Sequence, residues 1–191
     1  MSSGQPPAPT QGQSTGPAIV GIVGRSGSGK TTLIERLMPE LLALGLRVAT
    51  VKRTATFDID TPGKDSWRHS RAGADAYAVA SAGRIAFVES LGARPEPKLR
   101  DIVARFFCGF DLVLCEGYRL EAPETIEVFR RAAGCEQPVC GPGESLAIVT
   151  DAPVEHDRRF ALDDVGELAR FVVTRLLHCA SRPCPDTMTR K

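Results

Sequence analysis

Eight consecutive residues, Gly24-Arg25-Ser26-Gly27-Ser28-Gly29-Lys30-Thr31, satisfy the spacing G-x-x-x-x-G-K-[ST] without exception. The chemistry open to such a run is phosphate binding. Glycines let the backbone turn its N–H groups inward around phosphate oxygens, and a helix starting at the lysine adds more N–H groups and the positive end of its dipole. Lys30 can reach the β- and γ-phosphates of a nucleotide, the Thr31 hydroxyl can ligate Mg²⁺, and Thr32 extends the same first turn. A nucleotide site also needs a carboxylate near the metal. The run Asp111-Leu-Val-Leu-Cys-Glu116-Gly117 supplies two acidic residues on one apolar strand. At about 3.3 Å per residue they stand at opposite ends of it, so both cannot serve one metal. Ligands gather at the carboxyl ends of strands in open α/β sheets. Glu116 is therefore the candidate for holding the metal's water shell or orienting an attacking water, and Asp111 reads as structural.

A third source of carboxylates is the loop Thr56-Phe-Asp-Ile-Asp-Thr-Pro-Gly-Lys-Asp65, where Asp58 and Asp60 alternate with apolar residues. Asp60 is carried as a second metal carboxylate or as part of a segment sensing the γ-phosphate. An ordinary acidic loop is the equal alternative. Lys64, Arg68, His69 and Arg71 form a basic cluster beside it, suited to a phosphorylated ligand, an acidic partner or plain solvation. His69 has no clustered His or Cys and is not read as a metal ligand.

The elements that must position these groups follow from apolar spacing. Ala18 to Val23 is a short β-branched run ending at a glycine, which predicts a fully buried strand. Lys30 to Leu44 places Leu33, Leu37, Leu41 and Leu44 at helical spacing, with Gly45 as terminator and Pro39 predicting a kink. Leu46 to Val51 predicts a second strand and residues 64–73 a short helix. Ala76 to Ser81 and Arg84 to Val88 predict a hairpin. Pro97 to Phe107 reads as a helix with Leu99, Ile102, Val103 and Phe106 on one face. Asp111 to Cys115, Thr125 to Phe129 and Leu146 to Thr150 are further strands, the last of them closing the set. Asp163 or Asp164 caps a final helix carrying Val165, Leu168, Val172 and Leu176. Strands alternating with helices predict an α/β fold of P-loop NTPase type, with three α/β/α layers around a mainly parallel sheet.

Composition narrows the classes. The 191 residues carry 24 Lys and Arg against 23 Asp and Glu, a net charge of +1, which disfavours a generally basic nucleic-acid binder. No apolar run approaches the roughly 20 residues that span a bilayer, and no basic start leads into an apolar core, so the expectation is a cytoplasmic protein. Residues 1–17 are almost all Gly, Pro, Ser, Thr and Gln and predict a disordered tail. Residues 181–191 predict a frayed end, leaving 18–180 as the nucleotide-binding domain. Six cysteines include two C-x4-C pairs, Cys135 with Cys140 and Cys179 with Cys184. Four thiolates could hold a zinc ion if the pairs met, but free thiols fit the spacing and compartment better.

Taken together, GIVGRSGSGKTTLIERL, VATVK, FDIDTPGKDSWRHSRAGA, VAS, DLVLCEGY, TIEVFR and LAIVTD resemble the molybdopterin-guanine dinucleotide biosynthesis protein B (MobB) family from about Ala18 to Asp151. The phosphate loop is shared with many families. D-x-D-x-P-G-K-D-S-x-R followed by D-L-V-L-x-E-G is far more specific. The resemblance implies a homodimeric GTP-binding accessory protein of the molybdenum-cofactor pathway. Its implied partner is a MobA-like guanylyltransferase that attaches GMP to molybdopterin, its site would take GTP with Mg²⁺, and molybdopterin is a further implied ligand. Two departures weaken transfer of pterin or partner contacts: Arg53-Thr-Ala-Thr56 stands where family members tend to carry histidines, and Thr125 where a lysine is common. Residues 132–143 read as a loop of this protein's own.

Asp151 ends the Leu-Ala-Ile-Val strand roughly where GTPases place the aspartate that accepts from guanine N1 and N2. The expected N/T-K-x-D run is incomplete, since no lysine follows Thr150. Two activities remain open. One is an accessory protein with weak Mg-dependent GTPase activity, in which Lys30 neutralises charge and Glu116 or Asp60 positions water; without an arginine finger fixed by sequence, turnover would be slow. The other is a small-molecule kinase using ATP or GTP, with Glu116 activating an acceptor hydroxyl.

Overall fold

The computed structural model describes residues 16–134 and 136–179. Apart from Gly16 and Pro17, the two expected tails lie outside the described residues, as do Cys135 and Cys184.

Six strands form one wholly parallel sheet. In chain order they are β1 (Ala18–Val23), β2 (Val48–Lys52), β5 (Leu112–Glu116), β6 (Glu124–Phe129), β7 (Ala147–Thr150) and β8 (Arg159–Phe160). Their spatial order is β2-β5-β1-β6-β7-β8, and because every pair is parallel each connection must cross over. β3 (Ala76–Ala80) and β4 (Ile85–Glu89) pair antiparallel in a separate two-stranded sheet. The sequence predicted that hairpin but not its separation. It also missed β8, because two residues are too short for a periodicity signal.

Alternation of side chains across the sheet gives each face its own cover. Val20, Ile22, Leu112, Leu114, Ile126 and Val128 point to one face, where α1 (Lys30–Ala43) supplies Leu33, Leu37 and Leu41. On the same face α4 (Val165–Cys179) supplies Val165, Leu168 and Val172. The helix α1 runs unbroken through Pro39. Leu44, expected on its buried face, is exposed and follows the last helical residue. On the opposite face Ala49, Val51, Val113 and Cys115 pack against Leu99 and Val103 of α3 (Leu99–Phe106). Phe106, expected on the buried face of α3, is instead about half exposed and meets the hairpin's Phe87, with ring centroids 6.3 Å apart.

Beneath β6 and β7 on this second face, no helical residue is among the described packing partners. Phe129, Ile148 and Ala152 form a small cluster of their own there. The segment after β6 folds over it, pinned by Glu127, whose carboxylate accepts from the N–H groups of Val139 (2.6 Å) and Cys140 (2.9 Å). The helix α2 (Asp65–Arg71) is short and buries no side chain. Asp164 directly precedes α4 and accepts from the Ala161 N–H, whereas Asp163 pairs with Arg36 at 2.9 Å. Leu176 lies beyond the described side chains.

Candidate functional site

The carboxyl ends of β1 and β5 are neighbours, in parallel register with Ile22 opposite Glu116. This pairing brings the phosphate-loop sequence and the strand-end carboxylate to one edge of the sheet. Gly24 opens the loop with φ 138°, and a Cβ there would stand 2.3 Å from the Val128 carbonyl oxygen and 2.9 Å from Ser28 Oγ. Only glycine fits so close to β6. Arg25, Ser26 and Gly27 are exposed around the turn, Ser28 is buried, and Gly29 leads directly into α1. The loop is closed by the Ser28 N–H donating to the Arg25 carbonyl at 3.2 Å.

Lys30 folds back across its own loop, its ammonium donating to the carbonyls of Gly24 (3.1 Å) and Arg25 (2.8 Å). The Thr31 hydroxyl donates to Glu116 Oε2 at 3.3 Å, joining residues 85 positions apart. Thr31 and Thr32 both lie exposed at the start of α1, whose first N–H groups have no partner inside the helix. Lys52 approaches the same Glu116 oxygen at 3.6 Å. The Glu116 side chain is only 15% exposed. Gly117 follows with φ 90°, and a Cβ there would meet Arg53 Cβ at 2.9 Å, so the chain turns away from the sheet under tight steric control.

The donor set fits the groups that the sequence implies. A threonine hydroxyl and a carboxylate are the hard oxygen ligands that magnesium takes, usually with only one or two carboxylates. Ser28 Oγ is buried without a hydrogen-bond partner, a polar atom left over inside the phosphate loop.

Asp60 is held by residues of its own loop and helix. Its Oδ1 accepts from Ser66 Oγ and from the Thr61 N–H, both at 2.9 Å, and the Tyr77 phenol also hydrogen-bonds its carboxylate. Asp58 does not share its role, being used to accept from the Asp60 N–H at 3.0 Å. Desolvation and the neighbouring Asp60 push the Tyr77 phenol above its ordinary range. In the basic cluster Arg68 pairs with Asp65 and Arg71 stacks over Trp67.

Asp151 follows β7 at the same sheet edge and is exposed. One of its oxygens accepts from Arg130 Nε at 3.0 Å, while Thr150 Oγ1 accepts from the Ala152 N–H and fixes the turn. Thr125, at the position of the common lysine, is buried and donates to the Glu144 carbonyl at 3.4 Å. Among the described residues no cluster of three or more His, Cys, Asp or Glu side chains could hold a metal. Cys140 is described as a free thiol, pushed up to about 11 by desolvation and the charge of Glu127. Its proposed zinc mates Cys135 and Cys184 lie outside the described residues, as does the side chain of Cys179.

Two residues at the site escaped the sequence reading. Lys52 ends the run VATVK, and nothing short of strand register reveals that it faces Glu116. Arg130 follows β6 directly, but its pairing with Asp151 depends on β6 and β7 being adjacent.

The family model for molybdopterin guanine dinucleotide synthesis protein B (MobB) matches residues 19–151. The molybdopterin-guanine dinucleotide biosynthesis adapter protein of Haemophilus influenzae is 35% identical over 164 residues, spanning 84% of this chain and 90% of that one. The Escherichia coli protein of the same description is 36% identical over 152 residues, spanning 78% and 87%. A crystal structure described as molybdopterin-guanine biosynthesis protein B superposes with a TM-score of 0.65 at 34% identity, covering 83% of this chain and 99% of the other.

Proposed function

The chain belongs to the molybdopterin guanine dinucleotide synthesis protein B family, and from that membership we propose that it is an adapter protein of molybdopterin-guanine dinucleotide biosynthesis. In this reading it binds GTP and assists a MobA-like guanylyltransferase that attaches GMP to molybdopterin. The observation that carries the nucleotide part is the Thr31–Glu116 hydrogen bond, which sets a carboxylate against the first hydroxyl after the phosphate-loop lysine.

The backbone from Gly24 to Gly29, with Lys30, Thr31 and Thr32, would hold the phosphates, and Thr31 and Glu116 would hold magnesium. Asp60 is the proposed second carboxylate, carried by the loop that leaves β2 at the carboxyl edge of the sheet. Magnesium, when bound, would supply charge neutralisation on the phosphates. Lys30 must release the Gly24 and Arg25 carbonyls to reach a phosphate, an exchange of two neutral acceptors for an anionic one that favours the bound state. Glu116 or Asp60 would orient water for a slow hydrolysis of GTP. Asp151 is the proposed reader of guanine N1 and N2, with Arg130 fixing its carboxylate from one side.

A homodimer is part of the proposal. It is supported by the hairpin, which carries Val79, Ile85 and Phe87 at 49, 77 and 47% exposure on a two-stranded sheet with open edges. Among the described residues no helix is long and apolar enough to cross a membrane, and we place the protein's work in the cytoplasm.

Titration with fluorescent GTP and ATP analogues in Mg²⁺, followed by phosphate release, tests the reading. GTP should bind more tightly and be hydrolysed slowly without any acceptor. Preference for ATP, or indifference between the two, would overturn the guanine assignment, and nucleotide consumption only with an added acceptor would make the protein a kinase.

A further inference from the structure

Lys52 lies outside the phosphate loop, yet its ammonium is 3.6 Å from Glu116 Oε2, the same oxygen that accepts from Thr31 Oγ1 at 3.3 Å. Strand pairing builds this arrangement. β2 runs parallel to β5 with Lys52 opposite Glu116, and the ladder continues one step further through the Arg53 N–H donating to the Glu116 carbonyl at 2.9 Å. Arg53 itself turns to Glu96 and Glu121 and stacks over Tyr118, which leaves Lys52 facing the site carboxylate.

The two partners differ in freedom. The Glu116 side chain is 15% exposed and held between two strands, whereas Lys52 is 60% exposed on a flexible four-carbon stem. An ion pair at that distance with one partner mostly in water is weak, and a long lysine loses rotamer entropy by keeping it. A divalent cation carries twice the charge and binds oxygen far more closely. Where both seek one carboxylate oxygen their like charges also repel, so the lysine is the partner that yields.

We propose that Lys52 is a resident counter-ion for Glu116: it steadies the carboxylate beside Thr31 when no metal is bound and gives it up to magnesium, so that lysine and metal compete for one oxygen. This rests on the nucleotide-and-magnesium reading given above. Lys52 is a positioning residue, acting on the site through Glu116.

Competition has a thermodynamic signature. Removing the lysine charge abolishes a contact that must be broken only when metal arrives, so it should favour metal-loaded nucleotide over metal-free nucleotide. The measurement is the GTP-analogue dissociation constant of the full chain with Mg²⁺ and with EDTA, for the unmodified protein, Lys52→Met and Lys52→Arg. Lys52→Met should increase the ratio of metal-loaded to metal-free affinity by about two- to fivefold, the range of an exposed ion pair. Lys52→Arg, which keeps the charge, should restore the original ratio. An unchanged or decreased ratio in Lys52→Met would overturn the proposal while leaving the nucleotide site intact. Failure of the unmodified protein to bind nucleotide in a magnesium-dependent way would overturn both.

Discussion

The six-stranded sheet and the β3–β4 hairpin are both built from short apolar strands, but they bury them to opposite degrees. Ile22, Leu114 and Ile126 of the large sheet are wholly inaccessible, whereas Ile85 of the hairpin is 77% exposed. The cause is what lies above and below. Parallel strands joined by crossovers acquire helices on their faces, so α1 and α4 seal one side and α3 part of the other. A hairpin acquires no crossover helix. It is tethered at one end, where Glu89 accepts from both Arg94 and Arg105, each at 2.8 Å, and those guanidiniums hold its carboxyl below the usual range. The large sheet is therefore equipped to hold a chemical site rigidly, and the hairpin to present surface.

Core truncation tests that contrast most severely. Leu37 is fully buried between α1 and the sheet, so Leu37→Ala should lower unfolding stability by ~2–5 kcal/mol in urea denaturation. Ile85→Ser on the hairpin should change monomer stability by no more than ~0.5 kcal/mol, and its effect should appear as weaker self-association in sedimentation velocity. Equal loss of stability from both substitutions would break the comparison.

A smaller effect sharpens it through pH. Burial pushes the Cys115 thiol on β5 up to about 12, from an ordinary value of 9.0. The folded pKa is raised, so its contribution to stability is complete below pH 9 and is lost as pH rises from there toward 12. Cys115→Ala should flatten the decline of stability between pH 9 and pH 10 by ~1 kcal/mol, read as the change in urea midpoint with pH.

How far the sequence reaches follows the same division. The phosphate loop was legible because its chemistry is local: contiguous residues, a strand before and a helix after. Glu116 was legible because it ends a run of buried apolar residues. β8 was not, since two residues carry no period, and Leu44 and Phe106 were misplaced because helical spacing tells which residues share a face but not where the helix stops or what covers it. Lys52 and Arg130 needed strand order, which depends on crossovers and not on any single segment. Glu127 lies in the strand predicted over Thr125 to Phe129, and only the folded-back 139–140 backbone explains how its carboxylate is buried at 2% exposure.

The central claim is that the phosphate loop and Glu116 form a nucleotide site through which an adapter engages its guanylyltransferase. Its most direct test is co-sedimentation with a MobA-like guanylyltransferase, with and without GTP and Mg²⁺, for the unmodified chain and for Lys30→Ala. GTP should strengthen the complex of the unmodified chain at least several-fold and have no effect on Lys30→Ala. Equal, nucleotide-independent complex formation by both proteins would contradict it.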